Sequence, residues 1–482
     1  MCDVLLTHSY YLFYDRKQVR KMQPYPPLGT LYAAALLRSR GFSVAVCDTL
    51  WNDPAGFREA LRVHRPAIVA VYEDSFNFLT KMCLTRMREV AYGMLVEAQE
   101  SGAVALVNGS DATDHVDEFL RRGFAYVLLG EAEITLLELV QSLLGGGESP
   151  NEIPGLAYLK KGYVVRTAAR ALMSALDELP FPARDLINME QYRQAWKQAH
   201  GRFSMNMVSS RGCPYRCNWC AKPIYGNAFH ARSASRVAQE MGELKQAYGA
   251  EHLWFADDIF ALRPSWATEL AEAVEQRNAR VPFKMQSRVD LMTRPTVAAL
   301  RRAGCAEVWM GAESGSQKIL DAMEKDTRVE QIAAARENLR RHDIRACYFL
   351  QFGYPDERWE DIQNTIDLVR RTRPDDIGVS VSYPLPGTKF YELVREELGA
   401  KTNWADSEDL CMMFRGTYSD RFYRALHDSL HAEVDMWNMA PGASPERVWE
   451  LWEEVAALEK TCRTSHPTLL PVLRPAQACS AD

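Results

Sequence analysis

Three cysteines share one short segment, Ser210-Arg-Gly-Cys213-Pro-Tyr-Arg-Cys217-Asn-Trp-Cys220. The C-x3-C-x2-C spacing lets three thiolates face a common point, and three soft ligands suit an iron–sulfur cluster or zinc. Structural zinc calls for a fourth ligand. His230 is the only candidate close by, and its spacing is loose. A four-iron cluster on three cysteines keeps one iron open for an outside ligand. The other cysteines (Cys2, Cys47, Cys83, Cys305, Cys347, Cys411, Cys462 and Cys479) are scattered. They read as small buried hydrophobes of a chain kept in a reducing cytoplasm.

The cysteine segment needs an element to aim it. It follows the apolar run Met205–Ser209, which opens a series of strand candidates: Leu253–Ala256, Phe283–Ser287, Val308–Ala312, Ala346–Phe352 and Gly378–Tyr383. Helical patterns separate them, such as Val237, Met241, Leu244 and Tyr248 followed by Gly249. Six strand–helix units of this length predict a partial (β/α) barrel, whose active sites form at the C-terminal ends of the strands. Upstream, Val4–Leu6, Val44–Val46, Ala67–Val71, Val104–Val107 and Tyr126–Leu129 alternate with amphipathic segments, Leu31–Leu37 and Val116–Leu120 among them. Short continuous apolar runs between helices predict buried parallel strands in a doubly wound sheet. A hairpin (156–159 with 163–165) and the proline-bearing stretch Leu179–Pro182 link the two. The α/β chain thus divides into 1–147, 148–200, 201–395 and a mainly helical 396–482. In the last part, Ser444 is placed to cap a helix over 446–460.

The cysteine segment resembles the hallmark of the radical S-adenosylmethionine (SAM) superfamily, C-x3-C-x-aromatic-C, with Trp219 in the aromatic place. The resemblance implies that Cys213, Cys217 and Cys220 hold a [4Fe–4S] cluster. Its open iron would chelate SAM, which one electron cleaves to a 5′-deoxyadenosyl radical. Later strand ends extend the likeness: Asp257-Asp258, Ser287-Arg288, Gly311-Ala-Glu313, Gly353-Tyr-Pro355 and Pro384-Leu-Pro386-Gly387. By this resemblance Asp258 would serve the methionine amine, Ser287 a ribose hydroxyl and Arg288 the carboxylate, with Glu313 also at the mouth. Asp257, at the same strand end, could as easily cap the next helix.

The doubly wound region resembles the cobalamin (B12)-binding, flavodoxin-like domain of one branch of that superfamily. That branch holds anaerobic magnesium-protoporphyrin ester cyclases and class B methylases. The likeness rests on Pro26-Pro27-Leu28-Gly29, on Asn108-Gly-Ser110-Asp111 and on Gly130-Glu131-Ala-Glu133. It implies that loops around 73–77, 108–111 and 130–133 border the corrin, with Asn108, Ser110, Gly130 and Glu131 as cofactor-binding residues. The D-x-H-x-x-G string that supplies the lower cobalt ligand elsewhere is absent. As a cobalt ligand His115, in D-x-x-D-H, stands behind its reading as a capping or surface residue, and His8, which ends the first strand facing the crevice, is a second candidate.

With 57 basic and 63 acidic residues the net charge is −6, which argues against non-specific nucleic-acid or lipid-surface binding. No apolar run approaches the ~18 residues of a membrane span, and the first residues lack the basic start of a secretory signal. The expectation is a cytoplasmic enzyme with a small-molecule substrate and an external one-electron reductant. By resemblance it methylates an unactivated carbon through methylcobalamin. The rivals are an oxidative cyclase or ring-rearranging enzyme that transfers no methyl group, and a non-catalytic metal-binding scaffold. Trp404, Phe414, Tyr418, Phe422 and Tyr423 could line a pocket, but at helical spacing they read as core.

Overall fold

The computed structural model describes residues 1–76, 84–145, 148–399 and 410–461. Cys83, Trp404, Cys462, Cys479 and the segment after Pro467 fall outside them.

Seven strands form the first sheet: β1 (Val4–Thr7), β2 (Val44–Cys47), β3 (Ile68–Tyr72), β4 (Val104–Asn108), β5 (Tyr126–Leu128), β6 (Leu156–Lys160) and β7 (Tyr163–Arg166). Their order is β2-β1-β3-β4-β5-β6-β7. The first five are parallel, and the hairpin β6–β7 joins antiparallel at β5. β1 and β3 are buried along their whole length, as strands covered by helices on both faces must be. Helix Pro54–His64 starts where the Asp53 carboxylate accepts the Gly56 N–H at 3.1 Å, with a proline in its first turn. Helix Val116–Arg122 ends on Gly123 at φ 122.

The second sheet holds six parallel strands in the order β15-β14-β13-β12-β11-β8. They are β8 (Ser204–Met207), β11 (His252–Phe255), β12 (Phe283–Arg288), β13 (Cys305–Glu313), β14 (Arg345–Phe352) and β15 (Asp376–Val381). A short antiparallel ladder, β9 (Ser210–Arg211) with β10 (His230–Ala231), brackets the cysteine segment. The curled sheet is a half-barrel, as the six-unit reading predicts. Helices Asp420–Trp437 and Pro445–Thr461 pack together at its far side, the first of them beside β15. Ser444 Oγ accepts the Arg447 N–H at 3.2 Å, as a cap does. Phe414, Tyr418, Phe422 and Tyr423 are buried core. Cys47, Cys305 and Cys347 are buried small hydrophobes as well. No helix among the described residues is long and apolar enough to cross a membrane.

The two sheets share a core. Helix Leu28–Ser39 is buried from Leu28 through Leu37 because it is sandwiched between the first sheet and the barrel's outer wall. Its cluster includes Val208, Ile224, Tyr225 and Ala256 from the barrel. The connecting stretch is inside too: Leu176, Leu179, Ala183 and Arg184 are buried. The Arg184 guanidinium donates to Glu240 at 2.8 Å, and Arg232 donates to the same carboxylate at 2.5 Å.

Candidate active site at the barrel mouth

The cysteine loop leaves the C-terminal end of β8 through a tight passage. Gly212 sits at φ +79, and a Cβ there would stand 2.2 Å from the Ala228 carbonyl oxygen, so only glycine fits. Just before it, the buried Asp257 carboxylate accepts from the Ser209 backbone N–H, from Ser209 Oγ at 2.6 Å and from Ser210 Oγ at 2.5 Å. Asp257 therefore organises the entry to the loop rather than capping a helix. Burial pushes its carboxyl up to about 6 despite these bonds. Asp258, the neighbour assigned to the methionine amine, is exposed at the strand end.

Inside the loop, backbone carbonyls and Asn218 carry the anchoring. Lys222 Nζ donates to the carbonyl of Cys213 at 3.0 Å and to that of Tyr215. Asn218 donates its N–H to the Met323 carbonyl and its side-chain amide to that of Ala322, and accepts the Phe390 N–H. Its Oδ1 accepts from the Tyr354 hydroxyl at 3.1 Å. The turn holding Tyr354 is pinned in turn by Glu357, whose buried carboxyl accepts the Gly353 N–H at 2.6 Å and is pushed by burial up to about 8. Segments after three different strands thus grip one asparagine between two cysteines.

Cys213 and Cys217 are half-buried and Cys220 is exposed. Among the described residues, no three His, Cys, Asp or Glu side chains stand gathered at metal-ligating distance. The donor set is nevertheless one that a thiolate-ligated cluster would use, and cations stand beside it. The Arg288 guanidinium carbon lies over the Tyr215 ring, 3.7 Å from its centroid, with Nη1 3.9 Å from Cys217 Sγ. Nε donates to Asp290 at 2.9 Å and Nη2 to the Lys325 carbonyl at 2.9 Å. Arg288 is thus buried under the loop, where the sequence reading has it projecting into the mouth. Lys325 Nζ bonds Glu313 at 2.7 Å and lies over the Trp219 ring. Burial works against the lysine charge, but Glu313 and the Cys217 sulfur hold its pKa above the ordinary value. Glu313 itself sits at φ +58, an unusual place for a side chain with a Cβ. Ser287 Oγ donates to the Phe260 carbonyl at 2.9 Å, so this hydroxyl is spent inside the barrel rather than at the mouth. Trp219 packs half-buried on the barrel core, and its indole N–H has no partner among the described residues.

The C-terminal edge of the first sheet carries the other assigned residues. Asn108 Nδ2 donates to the carbonyls of Leu128 and Gly130, while its Oδ1, Ser110 Oγ and Glu73 Oε2 are buried and have no partner among the described residues. A Cβ on Gly109 would stand 2.8 Å from Glu73 Cγ. Gly130 faces the barrel, where an added Cβ would meet the Ile224 carbonyl at 3.4 Å. Glu131 is committed to Arg211 and to the Met173 N–H at 2.6 Å. Both nitrogens of buried His8 are also taken, Nε2 by Asp48 at 3.0 Å and Nδ1 by Thr49 at 3.1 Å, so the sequence reading of His8 as a residue open to the crevice fails. Burial opposes its charge, yet Asp48 raises its pKa. His115 lies between two short helices with Nδ1 3.3 Å from the Asp111 carbonyl, a capping position.

Residues 207–369 match the radical SAM superfamily. The barrel is a radical SAM domain. This bears out the resemblance drawn from the cysteine spacing and the reading of the chain as a radical SAM enzyme. Over 383 residues the chain is 28% identical to an uncharacterized methyltransferase of Pyrococcus horikoshii, covering 79% of this chain and 81% of that one. It is 24% identical over 389 residues to the anaerobic magnesium-protoporphyrin IX monomethyl ester cyclase of Cereibacter sphaeroides, covering 78% and 61%. In fold, it superposes on the radical SAM methyltransferase TsrM of Kitasatospora setae, solved with cobalamin and a [4Fe-4S] cluster, with TM-score 0.67. The identity there is 19%, and 83% and 76% of the two chains are covered. The cobalamin-dependent radical SAM enzyme OxsB, solved with aqua-cobalamin and SAM, gives TM-score 0.69 at 17% identity, over 95% and 71%. In both comparisons the likeness runs from the first sheet into the radical SAM domain.

Proposed function

We propose that the protein is a cobalamin-dependent radical SAM enzyme that methylates an unactivated carbon of a small molecule. The observation that carries this reading is the apposition of two strand-end edges. The cysteine loop at the mouth of the radical SAM domain packs directly on the turn 130–133 of a flavodoxin-ordered sheet, where such sheets take their ligands. Cys213, Cys217 and Cys220 would hold a [4Fe–4S] cluster, and Lys325 and Arg288 beside them would offset its negative charge. Trp219, Asp258 and Glu313 would border SAM. On this reading Ser287 and Arg288 hold the walls and the loop rather than the ligand. The orphaned oxygens of Asn108 and Ser110 suit a cofactor rich in amide donors, as cobalamin is through the amide side chains of its corrin, and Gly130 shapes the same edge. When bound, the cluster supplies the electron that cleaves SAM, and cobalamin carries the methyl group. The chain's own part is to orient both and to exclude water.

Product analysis of anaerobically reconstituted protein tests the reading. It should hold about four iron and four sulfide per cluster, retain added hydroxocobalamin, and release S-adenosylhomocysteine together with 5′-deoxyadenosine. Cys217→Ala should lose the cluster and both products. 5′-Deoxyadenosine without S-adenosylhomocysteine would make it an oxidative cyclase of the kind the relative from Cereibacter sphaeroides is named for. Neither product from the intact protein would overturn the enzymatic reading.

A further inference from the structure

One guanidinium joins the two edges. Arg211, directly ahead of Gly212-Cys213, is 4% exposed. Its Nη1 bonds Glu131, on the turn that follows β5, and its Nη2 bonds Glu133 at 2.7 Å, the first residue of the helix after that turn. Three rings surround it, those of Tyr32, Phe76 and Tyr225, each with its centroid 5.5 Å from Cζ. Tyr32 belongs to the helix sandwiched between the sheets, Phe76 follows β3, and Tyr225 lies just beyond the last cysteine. Phe76 and Tyr225 stack across the interface at 5.7 Å. A planar fork can satisfy two carboxylates and several ring faces together, which a lysine ammonium cannot. The backbone of Arg211 is also fixed, paired with His230 in the β9–β10 ladder. Gly212 is wedged against Ala228, so there is no slack between this clamp and Cys213.

We propose that Arg211, held by Glu131 and Glu133, is a positioning residue that sets the gap between the cysteine loop and the C-terminal edge of the first sheet. It serves transfer across that gap and holds neither cofactor itself. The proposal rests on the reading of the previous subsection. The turn Gly130-Glu-Ala-Glu133 accordingly contributes by docking the barrel as well as by bordering the corrin.

The test uses full-length protein reconstituted with cluster and cobalamin, as parent, Arg211→Lys and Glu133→Gln. Iron, sulfide and cobalamin content and the melting temperature report integrity. The magnetic coupling between cob(II)alamin and the reduced cluster, read by electron paramagnetic resonance, reports the gap. Both variants should keep their cofactors, and their coupling should change. The kcat for SAM consumption should fall, on the order of a hundredfold for a displacement near an ångström, while KM for SAM holds. Glu133→Gln keeps the Glu131 bond and the side-chain shape, so it carries the test if Arg211→Lys does not fold. Parental coupling and kcat in a folded variant would overturn the proposal, as would loss of fold in both variants, which would make the clamp plain scaffold. A parent protein that holds neither cofactor would overturn the preceding reading and this one together.

Discussion

Lys325 and Glu313 form a buried ion pair at the barrel mouth, each no more than 5% exposed, with Gly311 beneath them and the Trp219 ring beside them. A Cβ on Gly311 would come within 2.6 Å of both charged ends, so the glycine makes room for the pair. Removing one partner of such a pair leaves the other charge buried and uncompensated. Lys325→Met should therefore destabilise the protein by about 3–5 kcal/mol, read as a shift of the denaturant midpoint. Glu313 also sits in left-handed backbone, which only a well-determined surrounding sustains. If the variant unfolds at the parental midpoint, the pair is dispensable to the fold and its place beside Cys217 is the only reason left for it. Neither partner stands in a local motif with the other, and the lysine escapes a reading by spacing. Only its closeness to Trp219 and Cys217 marks it.

Among the elements, β8 and β11 are joined at their N-terminal ends by a buried histidine. His252 Nδ1 bonds Ser204 Oγ at 2.8 Å, and that hydroxyl also meets the Tyr25 phenol. Burial first, then the charges of Arg202 and Lys284, lower the His252 pKa from its ordinary 6.5 to about 3. The folded chain keeps this ring neutral while the unfolded chain protonates it. The group's contribution to stability is thus complete above the unfolded value and is lost as pH falls toward the folded one. Between about pH 6 and pH 4 it should make stability rise with pH by roughly 1.4 kcal/mol per unit. His252→Gln, compared with its parent in the same cofactor state, should flatten the profile by that one-proton slope. An unchanged slope would mean that the imidazole is charged in the fold. The elements themselves were legible: every proposed parallel strand formed, because buried strands read as continuous apolar runs. What faces each strand end was less so. Asp257 turns inward and Asp258 outward, and the two look alike in a one-dimensional reading.

In the whole molecule the connection between the two sheets is a load path rather than a tether. Arg184 from the connecting stretch and Arg232 after the β9–β10 ladder share the fully buried Glu240, and Arg232 also reaches the Tyr32 hydroxyl at 3.4 Å. Two guanidinium charges hold the Glu240 carboxyl below its ordinary pKa in spite of burial. Glu240→Gln would strand two arginines in the core and should cost about 3–5 kcal/mol. Because Tyr32 also packs on Arg211, the same variant should loosen the interface beside the cysteine loop. Limited proteolysis of the connecting stretch 175–186 would detect this, and parental resistance would show the triad to be local.

The grouping of three soft ligands on one loop, the succession of strands and helices, and the doubly wound character of the first sheet follow from patterns that repeat within a few residues, while the cluster chemistry and the flavodoxin-like reading came through the family resemblance. Ligand spacing, apolar runs and caps are local, so they can be read along the chain. The partners that make the loop rigid cannot. Arg211 meets Glu131 across 80 positions, and Tyr354 meets Asn218 across 136. Such pairs depend on which strand ends become neighbours when two sheets pack. Hence Cys213, Cys217 and Cys220 were evident as a set in one dimension. The spent hydroxyl of Ser287, the commitment of Glu131 and the burial of Arg288 appeared only once the sheets had closed around them and buried polar groups had taken the partners within reach.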